Sequence, residues 1–100
     1  MQSLTRGLPP LDWEKYGYTI ASNYRIKVVV ALNEKPKTPS EIAEETGLYL
    51  SHVSSTVSDL VKKGLIKCLT PSLRRGKVFD LTEAGKEIAA EIKKRRRVAN

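Results

Sequence analysis

Arg74, Arg75 and Lys77 crowd one short segment, "PSLRRGK", around Gly76. Cations on a turn can neutralise phosphates, and the planar arginine fork suits phosphate oxygens or a narrow minor groove. Upstream, Ser51, His52, Ser54, Ser55 and Ser58 recur through "LYLSHVSSTVSDL". A hydroxyl donates and accepts, so each serine can meet a phosphate or a base edge. His52 can donate to a phosphate or to a guanine. Lys62, Lys63 and Lys67 follow, and Ser40 opens the segment "SEIAEETG". Together these side chains could grip a polyanion. The plainer alternative is a solvated helix surface beside generic charge that protects a two-stranded edge.

Catalysis is not expected. The chain has one histidine, His52, and one cysteine, Cys68, and they stand apart. Neither has the neighbours of an activated nucleophile. Glu44 and Glu45 belong to a short solvated segment. A phosphate-binding glycine loop, a dinucleotide fingerprint and paired metal-ligand spacing are all missing from the sequence. No cofactor or metal is therefore expected. Cys68 should pack as a small apolar side chain, with a redox role as the alternative.

The charge agrees with a polyanion partner. The 100 residues include 18 Lys and Arg against 11 Asp and Glu, a net charge of +7. The excess is uneven: the segment from Val61 onward holds twelve basic and four acidic residues. A concentrated positive field favours nucleic acid, with an anionic membrane as competitor. No apolar run approaches the ~20 residues of a membrane span. The stretch "MQSLTRGLPPLDW" lacks the apolar centre of a signal peptide. A lone cysteine fits a reducing, cytoplasmic setting. The length suits one small domain with a modest core, which oligomerisation would help.

Several elements must position these residues. Residues 1–18 read as an N-terminal arm, Met1 to Pro10, and an aromatic segment. The rings of Trp13, Tyr16 and Tyr18 should cover an edge of the core or a partner surface. Residues 19–97 read as the domain proper. In "ASNYRIKVVVALNEK", Val28, Val29 and Val30 favour a strand by propensity. Ser22 as N-cap, with Ile26, Val29 and Val30 on one face, favours a buried helix, and a helix is the expectation. Thr38 caps the next helix, with Pro39 at its first position and Glu41 closing a capping box. Gly47 ends that helix.

A second helix follows a tight turn, with Val53, Val57 and Leu60 on its apolar face and Leu50 and Val61 flanking it. Ser51, Ser55 and Lys62 fall opposite that face, with His52, Ser58 and Asp59 to either side. Gly64 stops the helix. "LIKCLT" and "KVFDL" read as strands joined through "PSLRRG". Thr82 caps a basic last helix whose Ala84, Ile88 and Ile92 form one stripe. That stripe can meet its own core or a second subunit. The order predicts a mainly α fold with a small β-hairpin: a winged helix-turn-helix.

"PSEIAEETGLYLSHVSSTVSDLVKKGLIK", followed by "RRGKVFDLTEAGKEI", resembles winged helix-turn-helix transcription regulators of the ArsR and MarR type, especially small archaeal members. The resemblance covers roughly Ser22 to Ile92. It implies a DNA-binding regulator with double-stranded DNA as partner. It also implies a homodimer through the terminal helices, reading a pseudo-palindrome. On this reading Ser40, Ser51, His52, Ser54, Ser55, Ser58, Lys62, Arg74, Arg75 and Lys77 contact DNA. The sequence departs from the pattern twice. Tyr49 stands where relatives carry a serine cap, and short Ser55 stands where they carry a long polar residue. With no arginine on this helix, a bidentate guanine contact worth ~1–3 kcal/mol is missing. A non-specific chromatin- or replication-associated binder and a protein-interaction module are the alternatives. "KKRRR", Lys93 to Arg97, reads as a dipole-complementing helix end, a basic tail on DNA, or a localisation signal.

Overall fold

The valine-rich segment is a helix at the centre of the molecule. The computed structural model describes residues 11–99, with side chains described through Arg95, so the Met1–Pro10 arm lies outside it. Ser22 accepts a hydrogen bond from the Arg25 amide at 3.4 Å and starts α2 (Asn23–Glu34). Val28 and Val29 are buried. The helical penalty of a β-branched residue is ~0.5 kcal/mol, whereas burying such a side chain contributes ~1.5–3 kcal/mol. Burial therefore overrides propensity.

The aromatic segment folds as a helix as well, α1 (Trp13–Ile20). Asp12 accepts from the Lys15 amide at its start. Tyr16 reaches the core. Tyr18 lies beneath the Arg25 guanidinium, 3.7 Å from its centroid, with the Lys63 ammonium 4.7 Å away. Arg25 also donates to the Tyr18 carbonyl at 2.6 Å, tying α1 to α2. Trp13 remains mostly exposed.

The helix-turn-helix follows its capping signals closely. α3 (Pro39–Thr46) carries the reciprocal box: the Glu41 amide donates to Thr38 Oγ1 at 3.2 Å, and the Thr38 amide donates to Glu41 Oε1 at 2.8 Å. Gly47 takes φ 77°, a left-handed geometry suited to glycine. α4 (Leu50–Lys62) begins after Tyr49, which makes no side-chain cap. Val53, Val57 and Leu60 bury its apolar face.

β1 (Ile66–Cys68) and β2 (Phe79–Leu81) pair antiparallel, with Ile66 opposite Leu81 and Cys68 opposite Phe79. Both are shorter than the sequence suggests. Beyond Cys68 the hairpin is held by Leu69 donating to the Val78 carbonyl and by the Val78 amide donating to Thr70 Oγ1. Lys37 and Phe79 exchange backbone hydrogen bonds of 3.0 and 2.9 Å, so the segment before α3 braces the outer edge of β2.

α5 (Glu83–Ala99) starts at Thr82, whose hydroxyl accepts from the Gly85 amide and donates to the Gly64 carbonyl. Ile88 and Ile92 are buried in the protein's own core, with Ala84 packed beside them. The stripe on α5 therefore serves its own subunit. The assembly is a winged helix-turn-helix: α3, turn and α4, followed by a two-stranded wing.

Candidate nucleic-acid interface

Serines and cations that are remote in sequence meet across one open groove. Its walls are the start of α3, the outer side of α4 and the loop between β1 and β2. Ser40, Ser54, Ser58, Arg74, Arg75 and Lys77 all line it, around a volume of about 740 Å³. Arg74 and Arg75 are exposed and Lys77 is half-buried. Gly76, at φ 66°, turns the chain between them. Ser51, Ser55 and Lys62 are exposed on α4 but lie outside the groove lining. Thr56, within the hydroxyl series, turns inward and is buried.

The groove floor differs from its rim. Leu50, Val57, Val61 and Phe79 form an apolar strip between the hydroxyls and the cations. Leu50 is 49% exposed and Val61 38%. No acidic side chain stands among the lining residues.

His52 occupies the leading end of α4, outside the groove lining. Its imidazole lies 4.9 Å from the Tyr24 ring and 5.8 Å, edge on, from the Tyr49 ring. Tyr49 is 76% exposed. Tyr24 comes from α2, so no local sequence pattern reveals this cluster. Two neighbouring rings restrict the rotamers that the imidazole can adopt, which lowers the entropy cost of using it as a donor.

Lys37 is the residue that sequence reasoning missed. It is only 1% exposed, and its Nζ donates to the Ala31 carbonyl at 2.5 Å. The same ammonium pairs with Glu34 at 3.1 Å and Glu45 at 3.0 Å. Burial disfavours its charge, but the hydrogen bonds and charges of Glu45 and Glu34 outweigh that and raise its pKa above the ordinary lysine value. One side chain thus joins the end of α2 to α3, while its backbone braces the wing. The Glu34–Lys37 spacing is the only sequence signal, and it reads as an ordinary surface pair.

The Thr38 amide, bonded to Glu41, holds that carboxyl below the usual glutamate range, aided by Lys35 and Lys37. Among the described residues, no three His, Cys, Asp or Glu side chains gather as a metal site requires. None of the described helices is long and apolar enough to cross a membrane. Cys68 is half-buried on β1, opposite Phe79.

Residues 22–67, from the α2 cap into β1, match the family described as bacterial regulatory protein, arsR family. Similar solved structures include the adhesin competence repressor AdcR of Streptococcus pyogenes: TM-score 0.71, 20% identity, 87% of this chain and 72% of that one. A ZitR mutant of Lactococcus lactis gives TM-score 0.68 at 22% identity, over 76% of this chain and 53% of its own. The homodimeric winged helix-turn-helix DNA-binding domain Mb0332 of Mycobacterium bovis, a possible ArsR-family transcriptional regulator, gives 0.66 at 21%, over 87% and 77%. These likenesses establish the fold. Among curated proteins, the phenylalanine–tRNA ligase alpha subunit of Metallosphaera sedula is 42% identical over 66 residues. That match takes in 65% of this chain but 14% of the ligase subunit. The resemblance to ArsR-type winged helices thus holds in both sequence and fold.

Proposed function

We propose that this winged helix-turn-helix protein is a DNA-binding transcriptional regulator that sets α4 in the major groove and its wing on the flanking backbone. The observation that carries the reading is the groove where Ser40, Ser54 and Ser58 face Arg74, Arg75 and Lys77. Hydroxyls and cations on one side of a rigid scaffold can engage base edges and phosphates together. Ser51, Ser55 and Lys62 extend the polar face of α4, and the short serines let its backbone approach the groove floor. His52 is its one pre-oriented ring donor. Arg74 and Arg75 supply phosphate or minor-groove contacts.

A homodimer would double this surface and read a two-fold site, as the homodimeric Mb0332 domain suggests by analogy. The α5 stripe is occupied internally. The second subunit is therefore placed against other parts of α5 and α1, where Trp13 and Ile20 are exposed. A cytoplasmic location fits this role.

The decisive experiment titrates fluorescent duplexes, selected from native genomic DNA and random, against the protein at stepped salt. The selected site should bind at least ~10³-fold more tightly than random duplex. Replacing Arg74 and Arg75 by alanine should shallow the log–log salt slope by about two. Equal affinity for every duplex would identify a non-specific binder. Absence of binding at low salt would leave an adaptor role.

A second reading has one observation in its favour. The relative with 42% identity is named for a tRNA ligase, so the fold could serve structured RNA here. The exposed rings of Tyr24 and Tyr49 offer stacking surfaces of the kind that unpaired bases use. An RNA hairpin titrated beside the DNA duplex separates the two.

A further inference from the structure

A second basic surface lies on the other flank of α4. At ~100° per residue, Lys63 falls roughly 180° around the helix from Ser54, which lines the groove. Its ammonium sits 4.7 Å from the Tyr18 ring, and the Arg25 guanidinium stacks on that ring at 3.7 Å. The Lys15 ammonium stands beside Gly64, at the same end of α4. Among the described residues no carboxylate pairs with Lys15, Arg25 or Lys63. Arg25 donates one N–H to the Tyr18 carbonyl, so stacking and this bond fix the fork and leave its other donors for a partner.

The surroundings are not purely cationic. Tyr24, 41% exposed, rests against His52 on the same flank, and Asp59 is exposed there too. A phosphate ridge carries its charge continuously and would meet Asp59, while Arg25 is half-buried where α2 joins α1. A flexible peptide places discrete carboxylates, avoids Asp59 and reaches the recessed fork.

We propose that this surface docks an acidic segment of a partner protein, in which carboxylates flank an aromatic or aliphatic side chain. One carboxylate takes the Arg25 fork bidentately, a second pairs with Lys63 or Lys15, and the apolar side chain covers Tyr24. Because the surface lies on the flank of α4 opposite the groove, partner and duplex bind together. Simultaneous binding rests on the DNA-binding reading; the docking surface does not.

The probe is a fluorescein-labelled decapeptide of Asp, Glu and Phe, and its control carries Asn and Gln in place of every acid. Polarisation on the full chain without DNA should saturate with the acidic peptide. The amide peptide should bind about tenfold more weakly or worse. Arg25→Lys keeps the charge but loses the fork, and should weaken acidic-peptide binding about tenfold. Lys63→Gln, at an exposed position, should weaken it about threefold. The R74A/R75A variant removes more charge from the other side of the molecule and should leave peptide affinity within about twofold. Binding that never saturates, equal affinity for the amide peptide, or a loss with R74A/R75A as large as that with Lys63→Gln overturns the surface. Duplex anisotropy is then measured with and without saturating peptide. An unchanged duplex Kd supports simultaneous binding. A duplex that displaces the peptide, or that Arg25→Lys weakens as much as it weakens the peptide, makes this surface a DNA contact and overturns the docking. A chain that binds no duplex at all overturns the DNA reading, while the peptide titration still decides the docking surface.

Discussion

Lys37 Nζ lies 3.0 Å from Glu45 Oε1, and the lysine is buried while the glutamate reaches water. The pair locks α3 against the end of α2, and the Lys37 backbone holds Phe79 at the wing. Orientation of the wing relative to α4 therefore depends on a buried residue that does not itself line the groove.

Lys37→Ala should destabilise the fold by roughly 2–4 kcal/mol. It empties a buried volume and leaves the Ala31 carbonyl without its donor. Lys37→Met, which keeps the volume, should cost less, because both glutamates can return to water. Urea melts rank the variants; equal stability of all three proteins would show that the ammonium contributes nothing.

The raised pKa of Lys37 has a definite consequence for pH. A basic group whose folded pKa exceeds its unfolded value near 10.4 contributes stability fully below that value and loses it as pH rises through the folded pKa. The wild type should therefore weaken only in strongly alkaline solution. With Glu34→Gln and Glu45→Gln together, the two charges that offset burial are gone, and burial favours the neutral form of Lys37. Loss should then begin at lower pH, which denaturant midpoints across the alkaline range will show.

Glu41 works in the opposite direction. Its folded pKa is depressed by the Thr38 amide, so its contribution is present above the unfolded glutamate value near 4.3 and fades as pH falls through the folded one. Thr38→Ala should cost about 1 kcal/mol at neutral pH by removing the cap. Because alanine keeps the backbone amide that bonds Glu41, the acid dependence should largely persist in Thr38→Ala and flatten instead in Glu41→Gln, as read from melts between neutral and acidic pH.

Gly85→Ala should be severe for its size. A Cβ at this position would collide with the Leu65 carbonyl oxygen, and backbone there cannot swing aside as a flexible side chain can. A loss of at least ~1–3 kcal/mol is expected from overpacking. A Tm unchanged within error would mean that α5 can back away from Leu65 at no cost.

His52→Ala should weaken binding to the selected duplex about three- to tenfold while leaving the salt slope nearly unchanged, since the group reads more than it neutralises. Tyr24→Leu should produce part of that loss by freeing the imidazole. If both variants match the wild type, His52 is simply a surface ring.

Much of this architecture is written in local chemistry. The Thr38–Pro39–Glu41 box, Gly47, Gly64 and the Thr82 cap mark the helix ends, because a cap acts within three or four residues of itself. The α4 pattern likewise separated the buried Val53, Val57 and Leu60 from the exposed serines. The cationic wing was legible as well, since arginines beside glycine on a turn need no partner to be recognised.

Other features depend on contacts between distant segments. The aromatic stretch became α1 by packing on α2 and by Arg25 closing over Tyr18. The burial of Lys37, the support of His52 by Tyr24, and the use of the α5 stripe within its own subunit were likewise undetermined. In each case the chain states which groups are available. Which of them lose their water follows only once α2, α4, the wing and α5 close on one another, because desolvation is a property of the packed assembly.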